Sequence, residues 1–380
     1  MVLKDKTILI ISPQKWCDDM HVSKHHYAIE LSKRNNKIYF LPTSSNLTID
    51  TIEIEQVSTF KNINIIHHKK FIGEILRFHL RVIYKILLKK KLKSILKKID
   101  PIDLILSFDN TATYPDLSIF KTKKRIFFPV DQINLNHLSE YKNFGNIIFS
   151  ISPVILNSLI NTNAKKILLN HGLGSDWVSM AQNKLNLISN KSYSNPFHVG
   201  YFGNLVIGKS LDMNTLKNVI KSHPEIEFHF WGNYNLNDTS DEEVVQWIHF
   251  LKNTNNVSLY GPISPYKLVQ QVDKIDAFIL CYNYQYEINK CTNSHKILEY
   301  LSTGKVIISS KIQAYESNSN LICMLQDYDN GAYLDLFDLT IKNIVHYNST
   351  ELQKKRIEFS LDNSYEKQIN RIESYINKTL

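Results

Sequence analysis

Long apolar runs are missing from this chain: no stretch approaches the ~20 consecutive residues that a membrane-crossing helix needs. The start, Met1-Val2-Leu3-Lys4-Asp5-Lys6, runs straight into Thr7-Ile8-Leu9-Ile10-Ile11. It lacks the apolar core and small-residue cleavage site of a signal peptide. Cysteine is scarce. Cys17, Cys281, Cys291 and Cys323 show neither metal-ligand nor redox spacing, which suggests no metal site and fits a reducing compartment. Neither Gly-x-Gly-x-x-Gly nor a phosphate-binding loop occurs, and that counts against ATPases and ordinary dehydrogenases. These absences lead us to expect a cytoplasmic protein.

The 380 residues are 43% hydrophobic and 21% charged, the composition of a globular chain long enough for two ordinary domains. In the first half, β-rich runs alternate with helical ones. Ile8–Ser12 reads as a strand, 23–34 as a helix and Lys37–Leu41 as the next strand. Strands follow over 104–108, 125–130, 147–152 and 166–170, which argues for a parallel sheet covered on both faces. The polar stretch Asn183 to Pro196 is the expected linker. After it the alternation restarts, with strands over 197–202, 227–231, 257–260, 277–282 and 306–310 and a helix over 212–222. The fold class is therefore α/β, two consecutive Rossmann-like units, with domains over 1–182 and 196–362. The tail carries Tyr365, Ile369, Ile372 and Ile376 at helical spacing.

The formal net charge is +9, and its placement matters more than its size. From His67 to Lys98 lysines, arginines and histidines interleave with apolar residues at helical spacing, including Lys89-Lys90-Lys91 and Lys97-Lys98. Two readings stay open: a surface helix with a solvated basic face, or peripheral contact with an anionic membrane. Nucleic-acid binding is weaker, because no recognised module accompanies the charge.

The most informative stretch runs from Asn293 to Ser310. Asn293, Ser294 and His295 form a donor-rich turn into a short helix; Gly304 ends it, and Val306–Ser310 follow as a buried strand. A helix N-terminus offers free N–H groups and partial positive charge, which suits a phosphate. Lys296 adds a cation there. Glu299, one turn on, can accept hydrogen bonds from sugar hydroxyls. A nucleotide sugar could be held in this way by its diphosphate and ribose.

This stretch resembles the donor-binding end of GT-B glycosyltransferases, and most of all the bacterial group called glycosyltransferase family 4 or group 1. The pattern there is roughly Pro/Ser-x-Lys-x-x-Glu-Tyr/Ala-x-x-x-Gly-Lys-Pro-Val. Here Cys291 stands where many members carry a second Glu, and Val306 stands where the Pro is usual. The resemblance implies two Rossmann-like domains facing each other across a cleft. It also implies that the last helix, 363–380, packs back on the first domain. The activity implied is transfer of a sugar from a nucleoside-diphosphate sugar to an acceptor hydroxyl, with retention of configuration and no dedicated metal or other cofactor. Bacterial surface polysaccharide or lipid-linked glycan assembly, at the inner face of the membrane, is the setting that follows.

Weaker matches keep the family's order. Gly203 and Asn204 end a strand just after the linker, where backbone N–H groups can approach a diphosphate, and Lys209 can add charge. Gly232 and Gly261 end two later strands, and Ile263 or Tyr266 lies where the resemblance places the base. Glycine after a strand is common in any Rossmann unit, so each match is weak alone. In the first domain, the family's Gly-rich loop is replaced by Trp16–His21, with His25 and His26 close by. These histidines read as surface helix residues, with His21 the one turned to the cleft. Asp131 ends a strand, and a helix cap is as good a reading as an acceptor contact. Asn170–Asp176 resembles the turn before the family's linker. Asp327-Tyr328-Asp329 matches the Asp-x-Asp of metal-dependent transferases, but too near the end of the second domain to carry weight. Two other classes stay open. One is a sugar-nucleotide epimerase of the same architecture, disfavoured by sparse carboxylates; the other is a non-catalytic binding protein.

Overall fold

A computed structural model describes residues 2–17, 21–43, 51–69, 76, 79–114, 117–122, 124–131, 133, 145–160, 162–188, 197–208, 210–237, 240–286 and 292–379. The chain divides into two compact units. One holds Met1–Gly172 with Tyr365–Leu380, and the other Leu173–Ser364.

The first unit is built on an eight-stranded sheet. In chain order its elements are β1 (Thr7–Ser12), α1 (Ser23–Ser32), β2 (Lys37–Pro42), β3 (Ile52–Gln56), β4 (Ile63–His68), α2 (Arg81–Leu96), β5 (Leu104–Ser107), β6 (Arg125–Phe127), β7 (Ile147–Ser150), α3 (Pro153–Ser158) and β8 (Lys165–Leu168). The strand order is β3-β4-β2-β1-β5-β6-β7-β8, and only β3 runs antiparallel to its neighbour β4. Successive residues of a strand face opposite sides, so the apolar run of β1 feeds two cores. Ile8 and Ile10 join α1 in one core, while Leu9 and Ile11 join Tyr84, Leu88, Leu92 and Ile95 of α2 in the other.

The second unit carries α4 (Ser175–Leu187), β9 (His198–Phe202), α5 (Met213–Ser222), β10 (Glu227–Trp231), α6 (Glu242–Lys252), β11 (Val257–Gly261), α7 (Pro265–Gln271), β12 (Ala277–Leu280), α8 (Lys296–Ser302), β13 (Val306–Ser309) and β14 (Cys323–Met324). Three helices close it: α9 (Tyr333–Lys342), α10 (Ile344–Tyr347) and α11 (Thr350–Asp362). Its six strands are ordered β11-β10-β9-β12-β13-β14, all parallel. That is the doubly wound order, which reverses between β9 and β12. The final helix, α12 (Tyr365–Thr379), belongs to the first unit, and its Tyr365, Ile369, Ile372 and Ile376 enter the core that α1 lines.

Three sequence expectations are corrected. The expected linker over 183–196 begins inside α4, whose buried Trp177 and Ala181 anchor a full helix, and 189–196 lie outside the described residues. The units therefore divide at Gly172/Leu173 and Ser364/Tyr365, not at 182/196 and 362/363, and α4 goes with the second. His67 and His68 are not helical, because β4 pairs in full register with β3 there. Pairing with the neighbouring strand overrides local periodicity.

Candidate functional site

The site forms where the second sheet reverses. β9 pairs with β10 along its whole length but with β12 only at Val199 and Gly200. Beyond that point the two strands part, and Phe202 has no strand partner on its β12 side. Tyr300 of α8 fills the gap. Its hydroxyl accepts from the Phe202 N–H at 3.1 Å and donates to the Phe202 carbonyl at 3.4 Å. Its ring stacks on Phe278 with centroids 4.3 Å apart. The helix start is thereby pinned beside the strand end.

Lys296 opens α8. Its Nζ donates to the Tyr201 hydroxyl at 3.1 Å and stands 4.7 Å from the centre of that ring. The ammonium lies against Gly203, where an added Cβ would overlap Nζ. Gly203 has a φ of 153° and donates its N–H to the Trp231 carbonyl at 2.8 Å. Gly232, with φ 141°, packs on the Gly203 backbone so closely that a Cβ would overlap the Gly203 carbonyl oxygen. The Gly232 N–H donates to the Gly261 carbonyl at 2.9 Å. Three strand ends and Lys296 thus meet in one small region.

Glu299 follows one helical turn later, with part of its surface open to solvent. Burial pushes its carboxyl up to about 7, against the pull of the Lys296 charge. Its side chain makes no hydrogen bond among the described residues, so its oxygens remain free as acceptors. Asn293 is buried, Ser294 is half-buried and His295 is exposed. Ser294 and His295 use their carbonyls to start the helix, accepting from Ile297 and Leu298 at 3.1 Å each. Asn204 is exposed, and its side chain accepts from the Val206 N–H at 3.1 Å. Ile263 packs against the core below Gly261. Lys209 and Cys291 lie outside the described residues.

Tyr201 and Tyr300 escaped the sequence reading as site residues, although each sits inside a quoted motif. So did Tyr282, just past β12. Its hydroxyl is buried against Ser294 with no hydrogen-bond partner of normal geometry, and burial raises its pKa. An aromatic two residues before a strand-end glycine was the available signal for Tyr201.

Two grooves of this unit lie elsewhere. One of about 880 Å³ is lined by Lys184, Tyr260, Gln271, Lys274 and Lys305, and none of the glycines or Lys296 borders it. A polar one of about 570 Å³ lies by Asp212, Asn283, Tyr284 and Asn330. Asp329 of the Asp-x-Asp run turns the chain before α9, accepting from the Gly331 N–H. Among the described residues no group of three or more His, Cys, Asp or Glu is placed to hold a metal.

In the first unit, His21 lies in an aromatic cluster with Trp16, His25, His26 and Phe60 at centroid distances of 5.7–6.3 Å. The surface reading of its neighbours is corrected. His25 is buried, its Nε2 against the Lys15 carbonyl at 2.9 Å, and His26 stacks on Tyr365 at 4.8 Å. Burial depresses their pKa values to about 4 and about 3, so both are neutral near pH 7. Asp131, exposed, follows β6 at the carboxyl edge of the sheet. His171 meets the Ser23 hydroxyl at 3.2 Å, and its carbonyl accepts from Gln368 of α12 at 2.8 Å, so this turn ties helices together.

No family model matches the sequence, and no curated protein matches it. Solved structures do. A sucrose-phosphate synthase from Thermosynechococcus elongatus matches at a TM-score of 0.70 with 11% identity, over 98% of each chain. A glycosyltransferase from Rickettsia africae matches at 0.65 with 13% identity, over 98% of each chain. Anabaena HepE, solved in complex with UDP and glucose, matches at 0.64 with 11% identity, over 99% of this chain and 100% of that one. The fold is that of the GT-B glycosyltransferases. Identities this low carry the fold and nothing finer.

Within that fold, Gly203→Ala should strain the backbone, at φ 153°, and push aside Lys296 Nζ and the Tyr201 hydroxyl, although no backbone atom is overlapped. The expected result is a melting temperature lowered by several degrees; if the site takes a nucleoside diphosphate, its affinity should fall about tenfold or more. Melting curves and calorimetric binding on the same samples check both halves.

Proposed function

We propose that this protein is a glycosyltransferase that moves a sugar from a nucleoside-diphosphate sugar to an acceptor hydroxyl. The carrying observation is the Lys296 ammonium, held by Tyr201 against the Gly203 backbone at the point where the sheet order reverses. Ligands of doubly wound sheets bind at that place, outside the carboxyl ends of the strands. In the reaction the bond from the anomeric carbon to the diphosphate oxygen breaks, and the electron pair leaves with the diphosphate. The acceptor oxygen bonds to that carbon, and its proton passes to the departing diphosphate. Lys296 stabilises the charge gathering on the diphosphate, and Glu299 holds the ribose hydroxyls. Tyr282 offers a further donor beside Ser294. Asp131 and His21 contact the acceptor, and configuration is retained.

Thermal-shift screening of nucleoside diphosphates and their sugars, parent beside Glu299→Ala, tests the reading. A ligand that binds only the folded state raises the melting temperature by mass action. We expect one nucleotide family to raise it, and the variant to lose the effect. No shift across the panel would move weight to a non-catalytic binding protein. Slow interconversion of the donor without any acceptor would point to an epimerase.

The pH dependence follows from Glu299. Ribose hydroxyls donate to the ionised carboxylate, so affinity in the parent should rise as pH climbs through about 7 and then level. Stability runs the other way. The folded-state pKa lies above the unfolded one, so the fold binds the extra proton between about 4.5 and about 7. Stability therefore falls across that window as pH rises. Glu299→Gln should flatten both profiles.

We place the acceptor at an anionic membrane surface. α2 buries Tyr84, Leu88, Leu92 and Ile95 but leaves Val82 73% and Ile86 63% exposed, with Ile83 and Leu87 beside them. Lys85, Lys89, Lys90, Lys93 and Lys97 surround this apolar edge, the arrangement that binds an interface by insertion plus charge. Among the described residues no helix is long and apolar enough to cross a membrane. Glutamine at Lys89, Lys90 and Lys93 with Ser at Ile86 should abolish sedimentation with anionic vesicles at low salt. Undiminished binding would remove this idea.

A further inference from the structure

Among the described residues, the first unit leaves a buried cation without a partner. Lys24, in the first turn of α1, is only 3% exposed. Among the described residues its ammonium forms neither a hydrogen bond nor an ion pair. Asp131 attracts it, but burial outweighs that attraction and lowers the lysine's pKa. The neighbouring His25 and His26 are neutral, so the positive charge here is concentrated on Lys24.

Its place in the fold points to a ligand. α1 follows β1, Asp131 follows β6, and β5 lies between those strands. The first sheet reverses its order between β1 and β5, so Lys24 and Asp131 straddle that unit's own switch point at the carboxyl edge. At the head of α1 the Val22 N–H donates to His25 Nδ1 and the His25 N–H to the Val22 carbonyl, so the N–H groups of Ser23 and Lys24 are the ones that can face an anion. A buried, uncompensated ammonium is costly to keep for stability alone. Lysine serves as a point-charge partner of phosphate.

We propose that Lys24 and the head of α1 bind a phosphoryl group carried by the acceptor. This rests on the transferase reading for the identity of the acceptor, but anion binding itself does not. Asp131, exposed beside it, keeps a role toward the acceptor hydroxyls. Such an acceptor is a sugar phosphate free in solution or a glycan joined to a carrier through a diphosphate.

Thermal unfolding of the full chain with inorganic phosphate, pyrophosphate and a hexose 6-phosphate tests the proposal. The parent is compared with Lys24→Met, Lys24→Gln and Lys296→Met, the last removing anion binding at the donor residues. We expect a saturable upward shift in the parent and in Lys296→Met. Both Lys24 variants should weaken it at least tenfold in ligand concentration while keeping the nucleoside-diphosphate shift. Preference for the hexose phosphate identifies a soluble acceptor, and preference for pyrophosphate a diphosphate-linked one. Without ligand, both Lys24 variants should melt higher than the parent, because a desolvated charge has been removed. A phosphate response unchanged in the Lys24 variants, or absent from the parent, overturns the proposal. So does a lower unliganded melting temperature in both variants, which would make Lys24 a structural partner of Asp131. Loss of the nucleotide shift from the parent with the Lys24 response intact would sink the donor reading alone.

Discussion

If the protein is the transferase proposed above, Lys296→Ala should lower turnover by about 10²–10³-fold, the expected cost of removing one preorganised group from developing transition-state charge. The chemical difficulty of sugar transfer lies in two charges that grow together, one on the sugar ring and one on the departing diphosphate. Lys296 is already oriented by the Tyr201 hydroxyl, so little reorganisation is needed when charge appears. The fold should survive, since the side chain is only partly buried and its loss leaves the Tyr300 contacts to Phe202 in place. Glu299→Ala should behave differently. On the proposed reading it would remove an acceptor for the ribose that serves ground state and transition state alike, so KM should rise while kcat changes little. Steady-state kinetics on both variants separate the roles, and equal kinetic profiles would refute the assignment.

Gly232→Ala should destabilise the second unit by about 3–5 kcal/mol, one of the large values that follow from a steric conflict with backbone. Two penalties coincide at this residue. Its φ of 141° lies where side chains are strained, and the new methyl meets the Gly203 carbonyl, which cannot rotate away as Lys296 Nζ can. The melting temperature of that unit should drop by about 10 °C. Calorimetry on the full chain would show it as a lowered transition, and the nucleotide shift would disappear with it. A Gly232→Ala protein as stable as Gly203→Ala would mean that the strand ends can separate without penalty.

Much of this was legible in one dimension. Strand runs such as Thr7–Ser12 and Val306–Ser309 are apolar because both faces of a parallel strand are buried, and that continuity can be read from residue type alone. The ordered glycines and the Lys296–Glu299 spacing were visible for a related reason: a backbone that approaches another chain closely excludes side chains. What stayed hidden depends on partners outside the local stretch. The β3–β4 pairing turns His67 and His68 into strand residues, and the buried side of α4 carries a helix into a stretch whose composition suggests a linker.

The sequence by itself determined two α/β units, the helix and strand around Lys296, and the chemical types present at the strand ends. Local propensity and hydrophobic period act over a few residues and are written there directly. Only the tertiary structure decided that Tyr201 holds the ammonium, that Gly232 rests on Gly203, and that Lys24 is buried within reach of the Asp131 charge. Burial and charge pairing are properties of three-dimensional surroundings. The same lysine on an exposed helix face would be an ordinary solvated charge.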